Sequence, residues 1–244
     1  MLYPILLFTF LASIASLFLV AIMLLQEKKV KKISFHLVSF GAGALLATGF
    51  TDTMPEAVQL SKNSFMYVTA FIALFFLIER TFLHFHHHEH EEGKNLRLPV
   101  PFLMFGDALH NFIDGISIAT TFLISFPLGF ITSTAVFIHE IPHELGDFGI
   151  LLHSGYSRRK VLGFNILTGL MAFAGALIGF YFAQNVSGTL PILLSLTTAN
   201  FIYLSLTDLL PEIHEQSKGN AFAHVLPFFL GVTLMLLLTQ FFKG

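Results

Sequence analysis

There is no cysteine in this chain, which excludes disulfides and thiolate metal sites and leaves the redox compartment open. The absence also weighs against a soft-ligand site for Cu(I). Tryptophan is missing too, while phenylalanine occurs 30 times; no physical reason for that bias is evident. Charge is scarce: Asp, Glu, Lys and Arg make up 11% of the residues and hydrophobic residues 55%, with a mean hydropathy of +0.76. About a quarter of a soluble protein's residues are charged, so the scarcity points to a lipid bilayer as the solvent. A net charge of -2 leaves no footprint for nucleic acid.

A spanning helix needs about 20 predominantly apolar residues. Eight segments meet that length, at roughly 3–25, 33–59, 65–85, 99–124, 127–153, 161–183, 190–211 and 222–242. The connections are short, so the expected fold is an all-α polytopic membrane protein, a single transmembrane domain over 1–244. The first apolar run is too long for a signal-peptide core, and its basic cluster (Lys28, Lys29, Lys31, Lys32) follows it. It reads as a retained helix with the N-terminus outside. On that orientation 11 Lys and Arg residues lie on the cytoplasmic side and only Lys62 and Lys243 opposite, as the positive-inside rule requires.

The second span ends in TDTMPEAVQLSK and the seventh in TDLLPEIHEQSK. Thr51, Asp52, Pro55, Glu56, Ser61 and Lys62 match Thr207, Asp208, Pro211, Glu212, Ser217 and Lys218 at a constant offset of 156. The two spans run in opposite directions, so spans 1–3 and 6–8 are expected to form an inverted repeat around spans 4 and 5, an arrangement common in secondary transporters.

Spans 4 and 5 carry the polar residues. In GDALHNFIDG, Asp107, His110, Asn111 and Asp114 share one helical face. In HEIPHELGD, His139, His143 and Asp147 do the same, with Glu140 and Glu144 beside them. His110 and His139 each lie near the expected midplane. A lone Asp there costs roughly 2.5–3.5 kcal/mol, and a divalent cation is the partner that suits imidazole and carboxylate together. Pro142 removes a backbone hydrogen bond near the carbonyl of Ile138.

H-E-x-x-H is also the mark of a zinc metalloprotease, so an intramembrane protease using His139, Glu140 and His143 is the alternative. The surplus of ligands, the proline within the motif and the repeat speak against it. A third alternative is a membrane protein that senses metal without moving it.

These motifs resemble those of the ZIP (Zrt-, Irt-like) family of divalent metal transporters. His110, Asn111, Asp114 and Gly115 match its span-4 pattern. His139, Glu140, Pro142, His143 and Glu144 match the His-Glu-x-Pro-His-Glu pattern of one subfamily, and Thr207 to Glu212 also looks like the family. The resemblance implies a transporter rather than an enzyme, importing zinc, and often iron, manganese or cadmium, into the cytosol across the plasma or inner membrane. It implies a metal site with His110, Asn111, Asp114, His139, Glu140 and His143 as ligands, joined by Glu144. A homodimer is a further expectation. Some relatives place a carboxylate on span 6 to complete a two-metal centre; span 6 here carries none.

The expected path enters near Asp52 and Glu56 and leaves past Asp107, Asp147, Asp208, Glu212 and His214. It ends at a cytoplasmic His-rich loop over 84–98, where His84, His86, His87, His88 and His90 form a metal-binding tract.

Overall fold

A computed structural model describes residues 1–24, 27–87, 100–216 and 222–243. Among them every element is helical, in eight runs. α1 joins Leu2–Thr9, a π-helical turn at Phe10–Ala15, and Ser16–Met23. α2 joins Glu27–Thr48, π-helical Gly49–Thr53 and Met54–Leu60. α3 is Ser64–His87, α4 Val100–Ile124, α5 Phe126–His153 and α6 Arg158–Asn185. α7 joins Thr189–Tyr203, π-helical Leu204–Leu209 and Leu210–Gln216, and α8 is Phe222–Lys243.

Six of the runs, all but α4 and α5, are long and apolar enough to cross a membrane. The eight segments expected from apolar length therefore divide. The two that fall outside the six are those interrupted by Asp107, Asp114, Glu140, Glu144 and Asp147. At a rise of about 1.5 Å per residue, both are still long enough to cross a hydrocarbon core. The outer helices α3 and α8 are only 11% buried over their apolar windows, and Phe65, Phe76, Leu77, Phe229 and Leu237 stand exposed on them. Such surfaces are the ones a bilayer covers.

Local sequence explains where helices start and continue. Ser125 caps α5 by accepting from the Leu128 amide at 3.2 Å, and Pro127 occupies the first turn, where its missing N–H costs nothing. α5 continues through Pro142 without interruption.

In lipid there is no hydrophobic drive between helices, so close backbone approach at small residues holds them together. α4 and α6 meet this way: a Cβ on Gly115 would collide with the Ala172 carbonyl, and one on Gly175 with the Phe112 carbonyl. α2 and α8 meet likewise, Gly43 against the Phe228 carbonyl and Gly231 against that of Phe40. The α4–α6 contact sets the height at which His110 and Asp114 are presented. Gly175→Ala is therefore expected to destabilise the protein by about 1–3 kcal/mol through overpacking. Gly163→Ala, in open space on the same helix, should be neutral or slightly stabilising. Thermal unfolding in detergent checks both.

Candidate metal centre

α4 and α5 lie side by side. The i, i+4 spacing on α4 puts His110 above Asp114, and on α5 the consecutive His139 and Glu140 reach across to them. His110 Nε2 lies 3.3 Å from Asp114 Oδ2, 3.2 Å from Glu140 Oε1 and 3.0 Å from His139 Nε2. His139 Nε2 lies 3.2 Å from Asp114 Oδ2 and 3.6 Å from Glu140 Oε1. One atom from each residue falls within 4.8 Å of every other. Four donors each about 2.0–2.1 Å from one ion stand about 3.3–3.4 Å from one another in a tetrahedron. Five of the six edges here fall around that length.

The donors are poorly satisfied without an ion. His139 donates Nδ1–H to the Ala135 carbonyl at 3.0 Å. That fixes the tautomer and turns the Nε2 lone pair toward the cluster. Among the described residues, Asp114 Oδ2 and both oxygens of Glu140 are buried without a hydrogen-bond partner. A proton on His110 Nε2 would satisfy one edge at a time, whereas a cation at the centre engages all four donors. Asp114, His139 and Glu140 are 1–2% exposed and His110 10%. His110 is thus the open corner of the cluster, and it lines a cavity of about 410 Å³.

That cavity is bounded by Glu79 of α3, Asp107 of α4, His143 and Asp147 of α5, and Asn200, Tyr203, Thr207 and Asp208 of α7. The His143 ring stacks edge-on against His110 at 4.8 Å between centroids, so it faces the cavity beside the cluster. Glu144 is 2% exposed, with neither oxygen hydrogen-bonded to a described residue, and it stands outside the group of four.

The amide of Asn111 is engaged elsewhere. Its Nδ2 donates to Asp107 Oδ1 at 2.8 Å, and its Oδ1 accepts from Ser13 Oγ at 3.2 Å. Of the remaining residues singled out in the sequence, Asp52 is fully buried on the α2 π-turn and accepts from Thr239 and Thr51. Glu56 is half-buried and Glu212 exposed. His88 and His90 lie outside the described residues, as do the side chains of His84, His86, His87 and His214.

Three contributors escaped the sequence patterns. Asn200 donates to Asp114 Oδ1 at 3.1 Å. Ser13, on the α1 π-turn, ties Asn111 of α4 to the Gly169 carbonyl of α6. Tyr203 hydrogen-bonds Glu79 in the cavity wall. The one available signal was Asn200 itself, an amide that follows Ser195, Thr197 and Thr198 in a helical run.

The chain is similar to several known proteins. The zinc transporter foi of Drosophila melanogaster is 39% identical over 141 residues, covering 57% of this chain and 20% of its own length. The zinc transporter ZIP10 of Homo sapiens is 40% identical over 111 residues, 46% of this chain and 13% of its own. The zinc transporter ZIP13 of Pongo abelii is 30% identical over 228 residues, 84% of this chain and 67% of its own. The chain thus spans a fifth or less of the first two relatives. A family model described as ZIP zinc transporter matches residues 83–239, which contain all four donors; with that match and the long alignment to the third relative, the chain belongs to the ZIP zinc transporter family.

Proposed function

We propose that this protein carries Zn²⁺ across a membrane, taking the ion at His110, Asp114, His139 and Glu140 and passing it through the adjoining cavity into the cytosol. The observation that carries the proposal is the near-tetrahedral spacing of four clustered donors, one of which, His110, opens to a cavity. Such a site can bind an ion and also let it leave. His143, Asp107, Asp147 and Asp208 line the way out, and Glu144, buried with both oxygens unpartnered among the described residues, is a further candidate donor. Asn111 acts through Asp107 in this conformation. Asp52 and Glu56 serve the opposite, entry side, and Glu212, His214 and the five loop histidines receive the ion afterwards. Peptide hydrolysis would need Glu140 free to activate water, yet Glu140 Oε1 is one of the four clustered donor atoms.

All eight helices cross the bilayer in this proposal, with the N-terminus outside, so the cavity opens to the cytoplasm. Several features support an inverted repeat of α1–α3 and α6–α8. The matching Thr-Asp and Pro-Glu motifs follow or occupy π-helical turns, Gly49–Thr53 and Leu204–Leu209, at the same offset. α2 packs on α8 as α7 packs on α3. Ser13 Oγ donates to the Gly169 carbonyl at 2.9 Å across a separation of 156 residues, and a residue touches its own repeat-mate only near a two-fold axis. Such repeats rock against a fixed site to alternate access. Iron, manganese and cadmium remain candidate cargo, since the donor types accept them. The host is the plasma or inner membrane, where the protein works as a homodimer.

Purified protein in liposomes with an internal zinc dye is expected to give a saturable zinc flux. Asp114→Ala should abolish it and His143→Ala should remove most of it; unchanged flux in Asp114→Ala would overturn the site. Acid works in a stated direction. Neutral imidazole is the ligating form, so protonation competes with the ion and affinity falls as pH falls. Isothermal titration in buffers of different ionisation enthalpy should show proton release on zinc binding that grows toward acid pH. Pure carboxylate binding, with no imidazole involved, would not give that trend near neutrality.

A further inference from the structure

Asp114 divides its two oxygens between different tasks. Oδ2 faces the imidazoles of His110 and His139 at 3.3 and 3.2 Å. Oδ1 accepts from the side-chain amide of Asn200 at 3.1 Å. Asn200 belongs to α7, not to the two helices that carry the donors. It is 7% exposed and stands in the cavity wall next to His110.

The consequence is one of denticity. A carboxylate can grip an ion through one oxygen or two. An N–H has no lone pair to offer an ion, and the one it holds on Oδ1 leaves that oxygen a single free lone pair and keeps the carboxylate turned with Oδ2 to the imidazoles, which favours one-oxygen binding over a grip through both. One-oxygen binding suits a small ion with four short bonds, the preference of Zn²⁺. Ions that collect six or more oxygen-rich ligands gain from a carboxylate that bites through both oxygens, as Ca²⁺ does, and Mn²⁺ favours octahedral oxygen sites. Raw affinity already ranks Zn²⁺ above Mn²⁺ at any nitrogen and oxygen site, so the contribution of geometry appears in the ratio of the two affinities.

We propose that Asn200 is a specificity-determining residue, which holds Asp114 to one-oxygen binding from α7 and thereby favours Zn²⁺ over Mn²⁺. It touches the ligand, not the ion, and acts by positioning. Because α7 lies outside the α4–α5 pair, the hydrogen bond also makes selectivity depend on how α7 is seated against α4. The proposal rests on the metal site assigned under the proposed function.

The test measures Kd for Zn²⁺ and for Mn²⁺ on the purified full chain, on Asn200→Ala and on Asn200→Leu, with Asp114→Ala as the control for the site. Both Asn200 variants remove the donor, and leucine keeps the volume. In both, the ratio of the Mn²⁺ Kd to the Zn²⁺ Kd should fall about tenfold, the scale on which groups behind a metal ligand act. A ratio unchanged in either variant overturns the proposal. A fall confined to Asn200→Ala also overturns it, because added room rather than the lost hydrogen bond would then set the ratio. If the unaltered chain binds Zn²⁺ no better than Asp114→Ala, the metal site itself fails and this proposal with it. That result differs visibly from an unchanged ratio in a chain that binds zinc.

Discussion

Asp114 and Glu140 are buried between α4 and α5 with their oxygens turned toward two imidazole nitrogens. Each such carboxylate costs roughly 2.5–3.5 kcal/mol at a bilayer centre when alone, and neither finds a full set of hydrogen bonds among the described residues. Lone pairs facing one another in an apolar bundle are tolerated when a cation can enter between them. Five of the six donor separations are near those of four short bonds to one small ion. That demand explains why the two helices that carry the ionisable donors pack side by side, and why a cavity reaches one corner of the cluster and not the others.

The surrounding structure serves the aim of those donors. Gly115 and Gly175 let α4 and α6 approach until backbone meets backbone, which sets α4 firmly enough to aim a carboxylate. The Ala135 carbonyl turns His139, and Asn200 turns Asp114. Ser13 gathers α1, α4 and α6 through Asn111 and Gly169. Most of these partners are backbone carbonyls, a π-turn serine or single small residues, so the polar machinery adds little polar surface to helices that must still face lipid.

Much of this was legible in the sequence. Apolar runs located the helices, and the three- and four-residue spacings put His110 and Asp114 on one face and His139 and His143 on another. Periodicity could not say which of His143, Asn111 and Glu144 would join His110, Asp114, His139 and Glu140, because that depends on the rotation of α4 against α5. In the structure Asn111 is turned to Ser13 and Asp107, and His143 to the cavity. The π-turns were equally invisible: one extra residue in a turn leaves no mark in composition, yet it places Asp52 and Ser13. Asn200 could be seen only as one more polar residue beside Ser195, Thr197 and Thr198. Its partner lies 86 positions away, and no local pattern encodes that distance. α4 and α5 stand outside the six strongly apolar helices because their ionisable residues lower the apolar signal of the helices that hold them.

The central claim is a four-donor zinc site made of two imidazoles and two carboxylates. X-ray absorption at the zinc edge, on the purified protein loaded with one equivalent of Zn²⁺, tests it most directly. The claim predicts four nitrogen and oxygen neighbours at about 2.0–2.1 Å, with the outer-shell scattering of two imidazole rings that drops to one ring in His139→Ala. A six-oxygen shell with no imidazole scattering, or a spectrum unchanged in His139→Ala, would contradict it.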